Sequence, residues 1–187
     1  MKYLRFVLSF VLMSLATAAF AQSDAHKTAE PKAPAPKSEA QTSFDTMKTL
    51  AGEWEGPVTT VPQAAEVEGK LARFSLRVTS MGNALVHELS IAGRRDHPVT
   101  MFYLDGDRLL LTHYCDAGNR PRMVSKVSPD GKTVEFDFLD LSGGNQYGHM
   151  HHAVFTVIDA NHHTEDWTWM DPGDKPTHAR FDLQRTK

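Results

Sequence analysis

The sequence predicts an all-β fold, an up-and-down antiparallel barrel of about ten strands preceded by one short helix. Beyond Gly52, apolar and polar residues alternate as they do on strands with one buried face. Turn signals recur at intervals of roughly 11 to 13 residues, the length of a strand and a tight turn. A meander of this size usually closes, because closure removes its exposed edges. The turn signals are Gly82, Gly93, Gly106, Gly118, Gly131, Gly143, Asn161 and Gly173.

Residues 1–21 have the features of a cleavable signal peptide. Lys2 and Arg5 precede an apolar run that ends in Ala19-Phe20-Ala21, with small residues where a signal peptidase cuts. The run is shorter than the roughly 20 apolar residues of a membrane span. We therefore predict export, with cleavage after Ala21, and a periplasmic or secreted mature protein.

Residues 22–42 have the composition of a flexible spacer. Ala, Pro, Lys and Glu dominate, and no large apolar residue is present to offset the entropy cost of ordering. We predict a disordered linker over 22–42 and a single barrel domain over 43–187. Within that domain, Ser43 is the predicted cap of a short helix whose apolar face carries Phe44, Met47 and Leu50.

Charge and cysteine content exclude several classes of function. The chain has 23 acidic and 20 basic residues, and removal of the signal peptide makes it more acidic. An acidic protein has no general attraction to nucleic acid or to an anionic membrane surface. The single cysteine, Cys115, cannot form an internal disulfide, and we interpret it as a small apolar group.

Alternation also predicts which side chains face the barrel interior. Charged residues such as Arg73, Glu88 and Asp137 lie between the apolar positions, where they would face lipid in a membrane barrel. We therefore predict a barrel whose apolar side is its interior, without membrane insertion of the mature protein. The predicted inner rows are Phe74, Leu76 and Val78; Leu85, His87, Leu89 and Ile91; Leu109, Leu111, His113 and Cys115; and Val134, Phe136 and Phe138.

The segment Leu50-Ala51-Gly52-Glu53-Trp54-Glu55-Gly56 resembles the start of the calycin group, which includes lipocalins, fatty-acid-binding proteins and nitrobindin-like haem barrels. In that group a Gly-x-Trp follows a short helix. The resemblance in architecture covers residues 43–187. It implies that Trp54 closes the barrel floor and that an arginine of the last strand, Arg185 ahead of Arg180, packs across it. The body of the chain also resembles a family of uncharacterised exported bacterial proteins.

The nitrobindin-like members of the group imply a haem held by a histidine near the C-terminus. His178 lies in about that place. Strict alternation, however, puts it on the opposite face from Phe181 and Leu183.

Ten histidines are many for a chain of this length, so their positions matter. His149 and His151 share a strand face with Ala153 and Phe155. On the next strand, His163, Glu165, Trp167 and Trp169 share a face that the tryptophans indicate is the inner one. The candidate residues lining the interior are His87, His113, His149, His151, Glu165, Trp167 and Trp169.

Three interpretations of these residues stay open. The first is an organic, partly apolar small-molecule ligand held between imidazoles and tryptophans. The second is a divalent metal bound by His113, His149 and His151, or a haem, in a barrel with or without enzymatic activity. The third is a set of rim histidines without special chemistry. No phosphate loop, nucleophile elbow or Cys-x-x-Cys is present, so the sequence favours a binding protein over an enzyme.

Overall fold

The computed structural model of the chain describes residues 36–128 and 130–186. The predicted signal peptide and the linker up to residue 35 lie outside the described residues. Within the described ranges, no helix has both the length and the hydropathy to cross a membrane.

Ten strands follow one α-helix and form a closed antiparallel barrel, which confirms the predicted fold class. Each strand pairs with its neighbours in the chain, and β1 pairs with β10 to close the sheet. The elements are α1 (Glu39–Lys48), β1 (Gly52–Val61), β2 (Leu71–Thr79), a short 3-10 turn (Ser80–Gly82), β3 (Ala84–Ile91), β4 (Val99–Asp105), β5 (Arg108–Tyr114), β6 (Arg120–Val127), β7 (Thr133–Ser142), β8 (His149–Asp159), β9 (His162–Met170) and β10 (Pro176–Arg185).

The helix begins earlier than the sequence predicts. Ser38, not Ser43, is its cap, and the Ser38 hydroxyl accepts a hydrogen bond from the Gln41 amide at 3.1 Å. Ser43 is buried inside the helix. Residues 39–42 are thus helical and not part of a spacer, because Ala40 packs into the same core as Phe44. The composition of the preceding stretch concealed this first turn.

One end of the barrel, here called the closed end, is covered by α1 and by the contact between Trp54 and Arg185. The Arg185 guanidinium lies 4.0 Å from the centre of the Trp54 ring. It donates to the carbonyls of Thr49, Ala51 and Ala160, while the indole N–H of Trp54 donates to the Leu50 carbonyl. Arg180 instead pairs with Asp166 at an exposed position. Arg185 therefore ties the end of β10 to the start of β1 and to the residues that follow the helix.

The predicted inner rows are mostly buried, as alternation requires. Side chains from all around the barrel join with the helix in one apolar core. The exceptions are Val78, which is exposed, and Leu89, Ile91, Phe138 and Cys115, which are half-buried. Of the predicted inner residues, the most deeply buried are Phe74, Leu76, Leu85, His87, Leu109, Leu111, His113, Val134 and Phe136.

Candidate functional site

A fully buried carboxylate, Glu165 on β9, lies in the barrel interior. Three N–H groups surround it. His87 Nε2 is 3.0 Å from Oε2, His163 Nε2 is 3.1 Å from Oε1, and the Trp167 indole nitrogen donates to Oε2 at 2.9 Å. A buried charge is tolerated only with such partners.

The protonation state of Glu165 follows from these contacts. Burial alone would raise the pKa of Glu165, but the charge of His87 and the hydrogen bonds from His163 and His87 outweigh it and lower the pKa to about 2. The ionised carboxylate accepts only, so both imidazoles donate to it through Nε2. His87 Nδ1 and His163 Nδ1 then have no hydrogen-bond partner among the described residues.

A third buried histidine, His113, lies near the ends of strands β4 and β5. Its Nδ1 is 2.8 Å from the hydroxyl of Thr100, which is opposite it on β4. Burial, and after it the charge of His87, lower the pKa of His113 to about 3. His113 is therefore neutral at pH 7, and its Nε2 has no partner within the described part of the chain.

His87 and His113 adjoin a cavity that has a smaller inner part and a larger outer part. The inner chamber has a volume of about 160 Å³. The outer recess, of about 550 Å³, shares Pro98, His113 and Met150 with it and extends past residues 62–66 and 115–116. We call this the open end of the barrel. The inner chamber is lined by His87, Leu89, Ile91, Pro98, His113, Met150, Trp167, Ala179 and Phe181.

Four of the sequence-predicted site residues come together in this part of the barrel. His87, His113 and Trp167 line the inner chamber, and the Trp167 ring centre is 5.9 Å from that of His87 and 5.5 Å from that of His113. Glu165 lies behind His87 and holds its ring through the hydrogen bond. Trp169 is farther out and lines the outer recess.

His149 and His151 are not among the residues that line this cavity, in contrast to the sequence prediction. The register of β8 against β9 shifts between Met150 and His152, and Met150 lines both parts of the cavity. A bulge of this kind changes which side chains face inward. The two histidines instead form a separate pair, with His149 Nε2 3.1 Å from His151 Nδ1 and both rings against Phe138.

The side chain of Asn145 also contacts this pair, with its oxygen 2.9 Å from His149 Nδ1. Burial and the charge of His151 lower the pKa of His149, against an opposing effect of Asp174. The pair is therefore satisfied by local hydrogen bonds.

The predicted metal set of His113, His149 and His151 does not form a compact group. Within the described residues, the three ligand-type side chains that approach within 4.8 Å of one another are Glu135, Asp137 and His152. Lys126 pairs with Asp137, and His152 Nδ1 contacts the same carboxylate at 3.1 Å. We interpret that group as a surface ion-pair network.

A haem bound through His178 does not fit the structure either. The His178 side chain is exposed, and its Nδ1 is 3.1 Å from the Thr168 hydroxyl on the neighbouring strand. The adjacent residues line the cavity instead: Thr177 lines the outer recess and Ala179 lines the inner chamber. The alternation of β10 is therefore regular at this point, as the sequence indicated.

Cys115 borders the outer recess beyond His113. Burial, ahead of the charges of Asp96 and Asp116, raises the pKa of its thiol. A thiol in such surroundings is a poor nucleophile.

Two residues of the site were not singled out from the sequence. His163 is fully buried and contacts Glu165 and the Trp54 ring, whose centre is 4.2 Å from its own. Its position on the predicted inner face of β9 was the sequence feature that could have indicated its role in the site. Thr100 has no such signal, since a threonine on a strand is common and only the pairing of β4 with β5 puts it against His113.

Comparisons with known proteins support the fold alone. No protein-family model and no curated protein sequence matches the chain. Rv2717c from M. tuberculosis is similar in structure, with a TM-score of 0.59 and 10% identity over 78% of this chain and 98% of that one. A protein of unknown function from the DUF3598 family of Nostoc punctiforme has a TM-score of 0.51 and 13% identity over 75% of this chain. That match spans about half, 49%, of the Nostoc protein.

Proposed function

We propose that this protein binds a small, partly apolar molecule in the open end of its barrel. The observation that carries the proposal is the inner chamber, which is lined by His87, Trp167 and Phe181 among others and adjoins a wider recess. Ligand sites in proteins are typically concave, mostly apolar and supplied with a few polar groups. Here the polar groups are in the outer recess, which Arg94, Asp96 and Asp116 help to line.

The electrostatics of the interior support binding rather than proton transfer by Glu165. Its oxygens already accept from His87, His163 and Trp167. A carboxylate with three donors and a pKa lowered to about 2 has little tendency to take up a proton near pH 7. We infer that Glu165 orients His87 in the chamber wall.

The binding test uses N-phenyl-1-naphthylamine, an uncharged apolar dye. Its fluorescence is measured after excitation of the protein tryptophans, which transfer energy to the bound dye. We expect saturable binding to the purified full chain. Ala179→Trp, which fills the chamber wall, should weaken binding at least about tenfold. The matched control is Gln184→Trp, an exposed position on the same strand that should bind as the unmodified protein does.

Unchanged dye affinity in a folded Ala179→Trp variant would contradict the proposal. Native mass spectrometry of the untagged protein from its own cells provides an independent test, because a retained organic molecule adds a discrete mass.

The proposal includes export to the periplasm or beyond. Edman sequencing of the mature protein should then begin at Gln22, and an intact Met1 in the cytoplasmic fraction would contradict export.

A further inference from the structure

The cavity of the open end has a third part, which adjoins both the inner chamber and the outer recess. This middle part has a volume of about 240 Å³. It shares Leu89 and Ala179 with the inner chamber, and it shares Arg94 and Asp96 with the outer recess. A ligand with one end in the chamber would therefore extend past charged side chains.

The three parts of the cavity differ in polarity. The surface that borders the inner chamber is apolar, whereas the middle part and the outer recess expose polar atoms as well. A charged group is costly to remove from water unless it finds a partner. The cavity therefore suits a molecule with an apolar end for the chamber and a polar or charged end for the outer parts.

Asp96, in the loop between β3 and β4, lines both the middle part and the outer recess. Its side chain is half-buried and accepts one long hydrogen bond, of 3.4 Å, from the amide of Asp116. Within the described residues Asp96 forms no salt bridge, while Arg94 lies 3.9 Å from the Asp116 carboxylate. Asp96 is thus a carboxylate that borders the cavity without a cationic partner.

The surroundings of Asp96 disfavour its ionised form. Burial, and after it the charge of Asp116, raise the pKa of the Asp96 carboxyl. The hydrogen bond from the Asp116 amide and the charge of Arg94 oppose this rise but are smaller effects. A positive group next to Asp96 would supply the charge that the protein itself does not supply.

The rest of the lining favours an organic cation over a metal ion. Trp169 lines the outer recess, and aromatic rings attract cations to their faces. In the part of the chain that the structure describes, the group of three side chains spaced to hold a metal is Glu135, Asp137 and His152, and none of them lines the recess.

We propose that the cavity binds an amphiphilic organic cation of the arylalkylamine class, with its apolar group in the inner chamber and its ammonium group paired with Asp96. This inference rests on the proposed binding function and names its ligand class. The chamber volume of about 160 Å³ is close to the ~150 Å³ cavity that holds a benzene ring. An ammonium group has three N–H donors, and its hydrogen bonds to a carboxylate are charge-assisted.

The test is calorimetric titration of the full chain with phenylbutylamine, phenylbutanol and phenylbutanoate, each with the ring and the polar group at opposite ends of the same chain. We expect the amine to bind at least about tenfold more tightly than the alcohol, because only the amine brings a positive charge to Asp96. Phenylbutanoate should bind more weakly than the alcohol, because its carboxylate would lie beside that of Asp96.

Variants of Asp96 locate the preference. Asp96→Asn keeps the shape but removes the charge, and it should bring the amine and the alcohol to within about twofold of each other. Asp96→Lys should make phenylbutanoate the tightest of the three ligands. Asp107→Asn is the matched control at an exposed position between β4 and β5, and it should keep the preference for the amine. The uncharged naphthylamine dye should bind all three variants, which shows that they are folded.

The outcomes separate this inference from the proposed function. Equal affinity for the amine and the alcohol would overturn the cation assignment and leave apolar binding intact. Tightest binding of phenylbutanoate to the unmodified protein, or a preference for the amine that persists in Asp96→Asn, would do the same. Binding of the dye but of none of the three phenylbutyl ligands would also overturn the assignment. Loss of all binding, dye included, would overturn both proposals.

Discussion

The two ends of this barrel are built from similar residues but are packed differently. At the closed end, Trp54 is 1% exposed, and its indole nitrogen and the Arg185 guanidinium are all hydrogen-bonded. At the open end, Trp167 is similarly buried, yet it and its neighbours His87 and His113 border a cavity. Dense packing indicates a part that stabilises the fold, whereas side chains that border enclosed space indicate a part that can bind a ligand.

Glu165 lies between the two ends and connects them. His163 contacts both this carboxylate and Trp54 of the closed end, and His87 contacts the carboxylate and the open chamber. A change at Glu165 should therefore affect both ends, while changes elsewhere should affect one end only.

The largest effect is expected for Glu165→Ala. Removal of the carboxylate leaves three buried N–H groups without an acceptor, and loss of one partner of a buried ionic group costs roughly 3–5 kcal/mol. We expect the free energy of unfolding in urea to fall by about 4 kcal/mol. Asp182→Ala, which removes an exposed carboxylate that contacts His162, is the control and should cost less than about 1 kcal/mol. A loss of similar size in both variants would contradict the central role of Glu165.

A matched pair of methionines tests the contrast between the ends directly. Met47 of the helix is fully buried at the closed end, and Met150 is half-buried at the wall of the cavity. Met47→Ala should cost about 3 kcal/mol, within the range for a buried methionine, and leave ligand affinity unchanged. Met150→Ala should cost about 1 kcal/mol or less, because the site already borders open space, but should alter dye affinity. Equal destabilisation by the two exchanges would show that the open end is as well packed as the closed end.

The sequence predicted the closed end better than the open end. Alternation placed Leu85 and Phe136 inside correctly, because regular strands have a fixed period of two. The same rule failed on β8, where the register shift between Met150 and His152 changes the alternation. A bulge leaves no mark in a pattern of apolar and polar residues. The observed strand pairing was therefore needed to show that His149 and His151 do not line the cavity.

Contacts across the barrel were also beyond prediction from the sequence. His87 and Glu165 are far apart in the chain and on strands that do not pair, so local patterns carry no information about their contact. The partial prediction of the site thus has a simple cause. The period of a strand indicates which way a side chain points, but barrel closure decides what it contacts.

The pH dependence of stability gives a smaller expected effect than Glu165→Ala or Met47→Ala, and it belongs to the open end. Burial lowers the pKa of His113 to about 3, whereas the unfolded chain has the ordinary value of about 6.5. Between these values the unfolded chain binds more protons, so stability is complete above about pH 6.5 and falls as the pH decreases. From pH 7 to pH 5 the expected loss is about 2 kcal/mol, at about 1.4 kcal/mol per pH unit below 6.5.

This range lies above the titration of Glu165, whose pKa is also lowered and whose contribution is lost only as the pH falls below about 4.5 and toward 2. The free energy of unfolding in urea should therefore fall less between pH 7 and pH 5 for His113→Phe than for the unmodified protein. The loss of stability that remains in the variant includes the contribution of His149, whose pKa is also lowered. His178→Phe should keep the full pH dependence because that side chain is exposed. If His113→Phe retains it as well, the cavity histidine is not the group that titrates, and the burial ascribed to the open end is wrong.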